Sequence, residues 1–150
     1  MPRAKQHAAT LGGTADDVEA QFYEAMQAGD LDKLMACWAD EDDILCIHPG
    51  GPRLMGAGAI RTAYESMLAQ AGSMTLRAER LRKIDSLTSV VHSVVERINI
   101  LTPQGPQDVF VIATNVYHKT AQGWRMVVHH VSPGTVQEVD DTSDMPQVLH

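Results

Sequence analysis

The chain has 150 residues, 44% hydrophobic and 21% charged, which suits one domain with its own core and excludes a disordered or fibrous protein. Twelve Lys and Arg against nineteen Asp and Glu give a net charge of −7, which argues against nucleic acid and against an anionic membrane surface as partners. Seven histidines stand out, and they leave a metal site, acid–base chemistry or chance as explanations.

The two ends of the chain differ from its middle. We expect a flexible N-terminal segment at 1–13, one domain at 14–133 and an acidic tail at 134–150, since the last segment carries acidic residues without Lys or Arg. No window approaches the roughly 18 apolar residues of a membrane span, and the short polar start of the sequence leads us to expect no secretory leader. Cys37 and Cys46 lack metal or redox spacing, so we expect reduced thiols and a cytoplasmic protein.

The first half of the domain has the periodicity of helices. Thr14 and Asp17 resemble a capping box, which predicts a helix that ends at Gly29. Asp30 can cap a second helix, and a third is predicted over about 57–69.

The second half has the pattern of strands. A short strand is predicted at 44–48, followed by a meander of long strands at 74–84, 88–101, 108–119 and 124–132. The predicted class is α+β, with three N-terminal helices packed on a strongly curved, mostly antiparallel sheet. Because strands this long must twist and curl, we expect a cone with an internal pocket.

Several phrases resemble a known superfamily. They are Ala28-Gly29-Asp30-Leu31-Asp32, Ile47-His48-Pro49-Gly50, Ala113-Thr114-Asn115-Val116-Tyr117, and the closing run from Gly123 to Pro133. Over 16–133 the chain resembles the nuclear transport factor 2-like superfamily, particularly its SnoaL-like and ketosteroid isomerase-like branches. The closing run also resembles the last strand of the association domain of calcium/calmodulin-dependent kinases. The resemblance implies the cone fold and a homodimer formed through the convex face of the sheet.

The ketosteroid isomerase-like pattern can be carried over residue by residue. The resemblance places His48 at the position of the base, Asn115 at that of the protonated Asp and Tyr64 at that of a supporting Tyr. Phe22 matches the Tyr of the oxyanion hole and cannot donate a hydrogen bond. We therefore do not expect steroid isomerase activity.

Three histidines are candidates for chemistry. His48 precedes a Pro-Gly-Gly loop and titrates near neutral pH, although it could instead fix that loop by a hydrogen bond. His129 and His130 are adjacent on a strand and must point to opposite faces. If Lys119 pairs with Trp124, then His130 shares the face of Asn115, whereas a loop longer by one residue would reverse the choice. We expect His130 in the pocket, with the catalytic set completed by His48 and Asn115.

The predicted ligand-binding residues are mostly apolar residues of the three helices. His92 and Glu96 join them because they share one face of a long strand, although Glu96 could instead lie on a solvated or dimer-facing surface. No pair of histidines has metal-ligand spacing, so no metal or cofactor is expected. The predicted set is Phe22, Met26, Trp38, Met55, Tyr64, Met67, His92 and Glu96.

Two functions remain open. One is a pocket for a small apolar or weakly polar molecule with general acid–base chemistry of the isomerase, dehydratase or hydrolase type. The other is a non-catalytic ligand-binding or oligomerisation module of the same fold. Phe22 favours the second unless another donor replaces the missing hydroxyl.

Overall fold

The structure, a computed structural model, describes residues 13–71 and 74–134. Except for Gly13 and Gly134, the predicted flexible segment 1–13 and the predicted acidic tail 134–150 lie outside the described residues.

Three helices form where the capping signals predict them. They are α1 (Ala15–Ala28), α2 (Leu31–Ala36) and α3 (Ala57–Ala71). Both bonds of the predicted capping box are present at the start of α1, at 3.1 Å and 3.2 Å. Gly29 ends α1 with a φ of 71°, a left-handed conformation that glycine adopts without a steric penalty.

The described strands form one six-stranded sheet in the order β2-β1-β6-β5-β4-β3. Their bounds are β1 Leu45–Ile47, β2 Arg53–Met55, β3 Met74–Asp85, β4 Ser89–Thr102, β5 Gly105–Thr120 and β6 Gly123–Pro133. The four long strands form the predicted antiparallel meander. Strand β2 was not predicted, because three residues are too few for an alternating pattern. The sheet is mixed, since β1 runs parallel to β6.

One irregularity in the β5–β6 pair decides which histidine faces inward. Lys119 pairs with Trp124 as expected, but the register shifts so that Val127 has no partner on β5. Such a bulge moves all later residues of the strand to the opposite face. Asn115 therefore pairs with His129, which is 1% exposed, while His130 is exposed on the outer face. The prediction that His130 faces the pocket and His129 the outer side is wrong for this reason.

The three helices cover the inner face of the curled, unclosed sheet. The core lies between them and includes Val18 and Phe22 of α1, Tyr64 of α3 and Met126 of β6, all of them fully buried. This arrangement confirms the predicted α+β cone. None of the helices described at 13–71 has the length and apolar character needed to cross a membrane.

Candidate functional site

A cavity of about 300 Å³ opens between the helices and the inner face of the sheet. This volume is at the lower end of the range for small-molecule sites. Its lining is mainly apolar, with a few polar groups. The lining residues are Met26, His48, Pro49, Met67, Leu68, Gln70, Leu76, Glu96, Ile98, Val111, His129 and Val131.

Three titratable side chains in this lining stand next to one another. His129 of β6 lies between the other two, with its ring centroid 6.0 Å from that of His48 and its Nε2 3.8 Å from Oε2 of Glu96. Glu96 is 3% exposed, whereas His48 is half-buried at the end of β1. The inner-face pairing of β4, β5 and β6 brings Glu96 and His129 together, and the parallel β1–β6 pair adds His48.

Glu96 is a carboxyl group held near the point where it changes charge. Burial, together with the charge of Glu19, raises its pKa and a 2.7 Å hydrogen bond donated by the Tyr23 hydroxyl lowers it, so that the pKa moves from 4.5 to about 7. At neutral pH the group is divided between carboxylic acid and carboxylate. It can therefore both give and accept a proton, as a general acid–base catalyst must.

His129 is held in the neutral form. Burial, aided by the neighbouring His48, lowers its pKa to about 3. Its Nδ1 lies 2.6 Å from Oδ1 of Asn115, whose Nδ2 donates to the Tyr23 hydroxyl at 2.9 Å and to Glu19 at 3.2 Å. Because Oδ1 can only accept, Nδ1 of His129 carries the hydrogen and Nε2 keeps a lone pair beside Glu96.

His48 keeps the capacity of a base that the sequence suggested. Burial lowers its pKa, so the imidazole is neutral at physiological pH. Its ring packs edge-on against Tyr64 with centroids 5.1 Å apart, and its Nε2 lies 3.6 Å from Cys46 Sγ. Burial also raises the pKa of the Cys46 thiol to about 11, so this thiol stays protonated and is not a nucleophile.

A buried polar network centred on Glu19 lies behind His129, which forms the floor of the cavity. Oε2 of Glu19 accepts from Nδ1 of His92 at 2.8 Å, from the Tyr117 hydroxyl at 2.8 Å and from Asn115, and its Oε1 accepts from Arg80 at 3.1 Å. Burial alone would raise the pKa of Glu19, but these hydrogen bonds and the charge of His92 lower it to about 2. Glu19 is therefore a permanent carboxylate.

Sequence reasoning missed Glu19, Tyr23 and Tyr117. A signal existed for Glu19, because it lies four residues after Ala15 and three before Phe22, on the buried stripe of α1. A charged residue on an apolar stripe needs buried partners, and here they come from the sheet.

The structure brings together some of the predicted site residues and separates others. His48, Met26, Met67 and Glu96 line the cavity. The alternative of a surface position for Glu96 is therefore wrong. Asn115 and His92 lie in the network behind the floor rather than in the lining.

The other predicted lining residues lie elsewhere. Phe22 and Tyr64 are fully buried behind the histidines, and the Phe22 ring centroid is 5.0 Å from that of His129. Trp38 bridges to Met126, and Met55 on β2 is 56% exposed. The structure therefore corrects the prediction that these four residues line the pocket.

No group of three or more metal-ligating side chains is arranged to hold an ion in the part of the chain that the structure describes.

Comparisons with known proteins agree with this architecture. The model of the SnoaL-like domain family matches residues 16–136. A structure from Thiobacillus denitrificans, provisionally assigned as a calcium/calmodulin-dependent protein kinase type II association domain, is 36% identical with a TM-score of 0.76. It aligns with 83% of this chain and 98% of its own. No protein with a curated description matches.

Two further structures share the fold. One from Streptomyces avermitilis, provisionally assigned as a dehydratase of the nuclear transport factor 2-like family, is 26% identical, with a TM-score of 0.71 over 79% of this chain and 93% of its own. A ketosteroid isomerase-like protein from Erwinia carotovora atroseptica is 14% identical. Its TM-score is 0.68, over 80% of this chain and 93% of its own.

Proposed function

The chain belongs to the SnoaL-like domain family of the nuclear transport factor 2-like superfamily, and from this premise we propose that it is a general acid–base enzyme. It transfers protons to and from a small, neutral, mainly apolar molecule, in an isomerisation or in a dehydration that releases water. The observation that carries the proposal is the buried Glu96 carboxyl, with a pKa of about 7, beside a neutral imidazole in an otherwise apolar cavity. Perturbed groups in a pocket are typical of catalytic sites.

The lining of the cavity indicates the chemical class of the substrate. Among the described residues, no Lys or Arg lines it, so a buried anion would lack a cationic partner. Both histidines are neutral at physiological pH, because burial lowers their pKa values. The cavity therefore suits an uncharged molecule with an apolar body and one carbonyl or hydroxyl group.

Two of the three side chains, His48 and Glu96, carry out the proton transfers. His48 takes a proton from the carbon next to the substrate carbonyl, and the protonated form of Glu96 gives its proton to the carbonyl oxygen or to a departing hydroxyl group. The electron pair of the broken C–H bond forms the new double bond. In an isomerisation His48 then returns the proton to a different carbon and the enol proton goes back to Glu96, and in a dehydration the hydroxyl group leaves as water. Glu96 thus supplies the donor that Phe22 lacks, while Asn115 orients His129 and does not contact the oxyanion.

Deuterium exchange tests this activity without knowledge of the natural substrate. Cyclic enones and β-hydroxy ketones are incubated with the protein in D₂O, and label next to the carbonyl is followed by NMR. We expect exchange above the buffer rate, reduced about 100-fold or more in His48→Ala and in Glu96→Gln, since general acid–base groups contribute on that order. The exposed His118→Ala is the matched control and should retain the rate. Exchange no faster than buffer for the whole panel, or equal in all variants, would overturn the proposal.

A non-catalytic association module is the second candidate, and the 36% identity to the Thiobacillus denitrificans structure favours it. The outer face of the sheet supports self-association, because the half-buried Val91, Val116 and Val128 form one row across three strands. We propose a cytoplasmic homodimer through this face for either function. Light scattering should give twice the chain mass and, for Val116→Lys, the monomer mass. A monomeric wild-type protein would refute the dimer and remove the support for the association module.

A further inference from the structure

The network behind the cavity contains a group that the proposed reaction does not use directly. We propose that Glu19 is a positioning residue, which fixes the nitrogen that His129 presents to the cavity and the direction in which the Tyr23 hydroxyl donates. The inference rests on the proposed function, since it assigns a role within that site. Glu19 does not line the cavity and acts through Asn115.

The first step is the fixed acceptor character of Glu19. Oε1 accepts from Arg80 Nε, and Oε2 accepts from His92, Asn115 and Tyr117. A carboxylate has no hydrogen to donate, so each group facing it must turn a donor toward it. The hydrogen bonds from His92, Tyr117 and Asn115 and the charge of His92 keep this carboxylate ionised, which makes the arrangement permanent at physiological pH.

The second step is the orientation of the Asn115 amide. Its Nδ2 is held between Glu19 Oε2 at 3.2 Å and the Tyr23 oxygen at 2.9 Å, and its Oδ1 consequently points to His129. The reversed amide would place its oxygen against a carboxylate oxygen, which is repulsive. Asn115 is fully buried, so water cannot compensate for the lost bonds.

The third step is the effect of the Asn115 orientation on the two cavity residues His129 and Glu96. His129 must donate from Nδ1 to the amide oxygen, which leaves the lone pair of Nε2 beside Glu96. The Tyr23 oxygen accepts from Asn115, so its hydrogen is free to bond Glu96 at 2.7 Å. One carboxylate on α1 therefore orients an imidazole on β6 and a carboxyl group on β4.

The substitution Glu19→Gln keeps the shape and should reverse the chain of donors. Arg80 requires an oxygen, so the new NH₂ group takes the place of Oε2 and faces Asn115. The amide of Asn115 then turns its oxygen toward that NH₂ group and its own NH₂ toward His129. His129 must accept at Nδ1 and carry its hydrogen on Nε2, and Tyr23 turns its hydroxyl away from Glu96.

The tautomer of His129 is measured by ¹⁵N NMR on protein labelled at histidine, in the wild type and in the variants. In the wild type we expect a protonated Nδ1 and an unprotonated Nε2. In Glu19→Gln we expect the reverse, with an unprotonated Nδ1 and a protonated Nε2. Glu24→Gln is the matched control, because Glu24 lies on the same helix with a 68% exposed side chain and should leave the tautomer unchanged. Hydrogen on Nε2 in the wild type, or an unchanged tautomer in folded Glu19→Gln, would overturn the proposal.

A second variant keeps the proposal testable even if Glu19→Gln does not fold. Tyr23→Phe removes the other partner of the Asn115 amide while Glu19 remains, so the wild-type tautomer should persist. Its loss would mean that Tyr23, not Glu19, orients the amide. If the proposed reaction holds, deuterium exchange also falls at least tenfold in Glu19→Gln. Failure of exchange in the wild type would sink the reaction alone, because the tautomer is read without turnover.

Discussion

Two glutamates share one buried network, and their pKa values move in opposite directions. Glu19, with four hydrogen-bond donors, falls to about 2, whereas Glu96, with the Tyr23 hydroxyl as its partner, rises to about 7. Burial favours the neutral form of both, so the number and charge of the donors decide the outcome. Such a divergence between neighbouring carboxyl groups separates a fixed charge from a group that exchanges protons.

Neighbouring histidines should respond very differently to truncation. His129→Ala removes a fully buried ring, leaves the Asn115 oxygen without its donor and opens a cavity, so we expect a loss of about 2–4 kcal/mol in the free energy of unfolding. His130→Ala, at an exposed position of the same strand, should change it by less than about 0.5 kcal/mol. Urea denaturation of both variants measures this contrast. Equal losses would contradict the inward position of His129.

The candidate site was partly predictable at this scale. His48 was a candidate because its residue type and the family resemblance agreed, and Glu96 because strand phase places it on the same face as His92. Glu19 and Tyr23 were missed because a partner network is a long-range property, with Tyr23 and Glu96 separated by most of the domain. No local pattern in α1 names the strand residues that satisfy them.

Among the elements, the helices were easier to predict than the strand register. Helix ends are encoded by neighbouring residues, as at Thr14, Gly29 and Asp30. The bulge at Val127 has no such marker, because no glycine or residue with positive φ lies there. Since one unpaired residue exchanges the two faces, the same alternation allowed either histidine to point inward.

The start of α1 offers a test of an element end. Thr14→Ala removes the side-chain acceptor for the Asp17 N–H, and we expect a loss of about 1 kcal/mol in the free energy of unfolding. Thr62→Ala within α3 is the matched control. Its exposed hydroxyl bonds to the Gly58 carbonyl of the same helix, so the change should be neutral or slightly stabilising. Thermal unfolding of both variants gives the change in midpoint temperature relative to the wild type. Equal changes in the two variants would argue against the capping box.

For the whole molecule, the buried network makes stability depend on pH in two opposing ways. The lowered pKa values of Glu19, about 2, and His129, about 3, contribute stability that is lost in acid, below 4.5 and 6.5 respectively. The raised pKa of Glu96 has the opposite sign, because its contribution is complete below 4.5 and disappears as pH rises through about 7. Between pH 4.5 and 6.5 the effects of His129 and Glu96 oppose each other.

Glu96→Gln should remove the contribution of Glu96 to the pH dependence of stability and leave that of His129. The variant lacks the titrating carboxyl group. The difference in free energy of unfolding, variant minus wild type, should therefore increase by about 3 kcal/mol between pH 4 and pH 8. Urea denaturation at intervals of pH measures the difference, and Glu24→Gln should run parallel to the wild type. If the Glu96→Gln curve also runs parallel, the carboxyl group of Glu96 does not titrate near neutral pH in the folded protein.

The parallel pairing of β1 with β6 also has a consequence for the order of folding. The four long strands join neighbours through hairpins, whereas β1 and β6 pair although they lie far apart along the chain. Contacts between distant parts of a chain carry a large loop-closure entropy and form late. His48 follows β1 directly, so the meander can form early while the cavity gains its last titratable side chain only at the final step. A refolding chain would thus hold a structured sheet before it could bind a ligand.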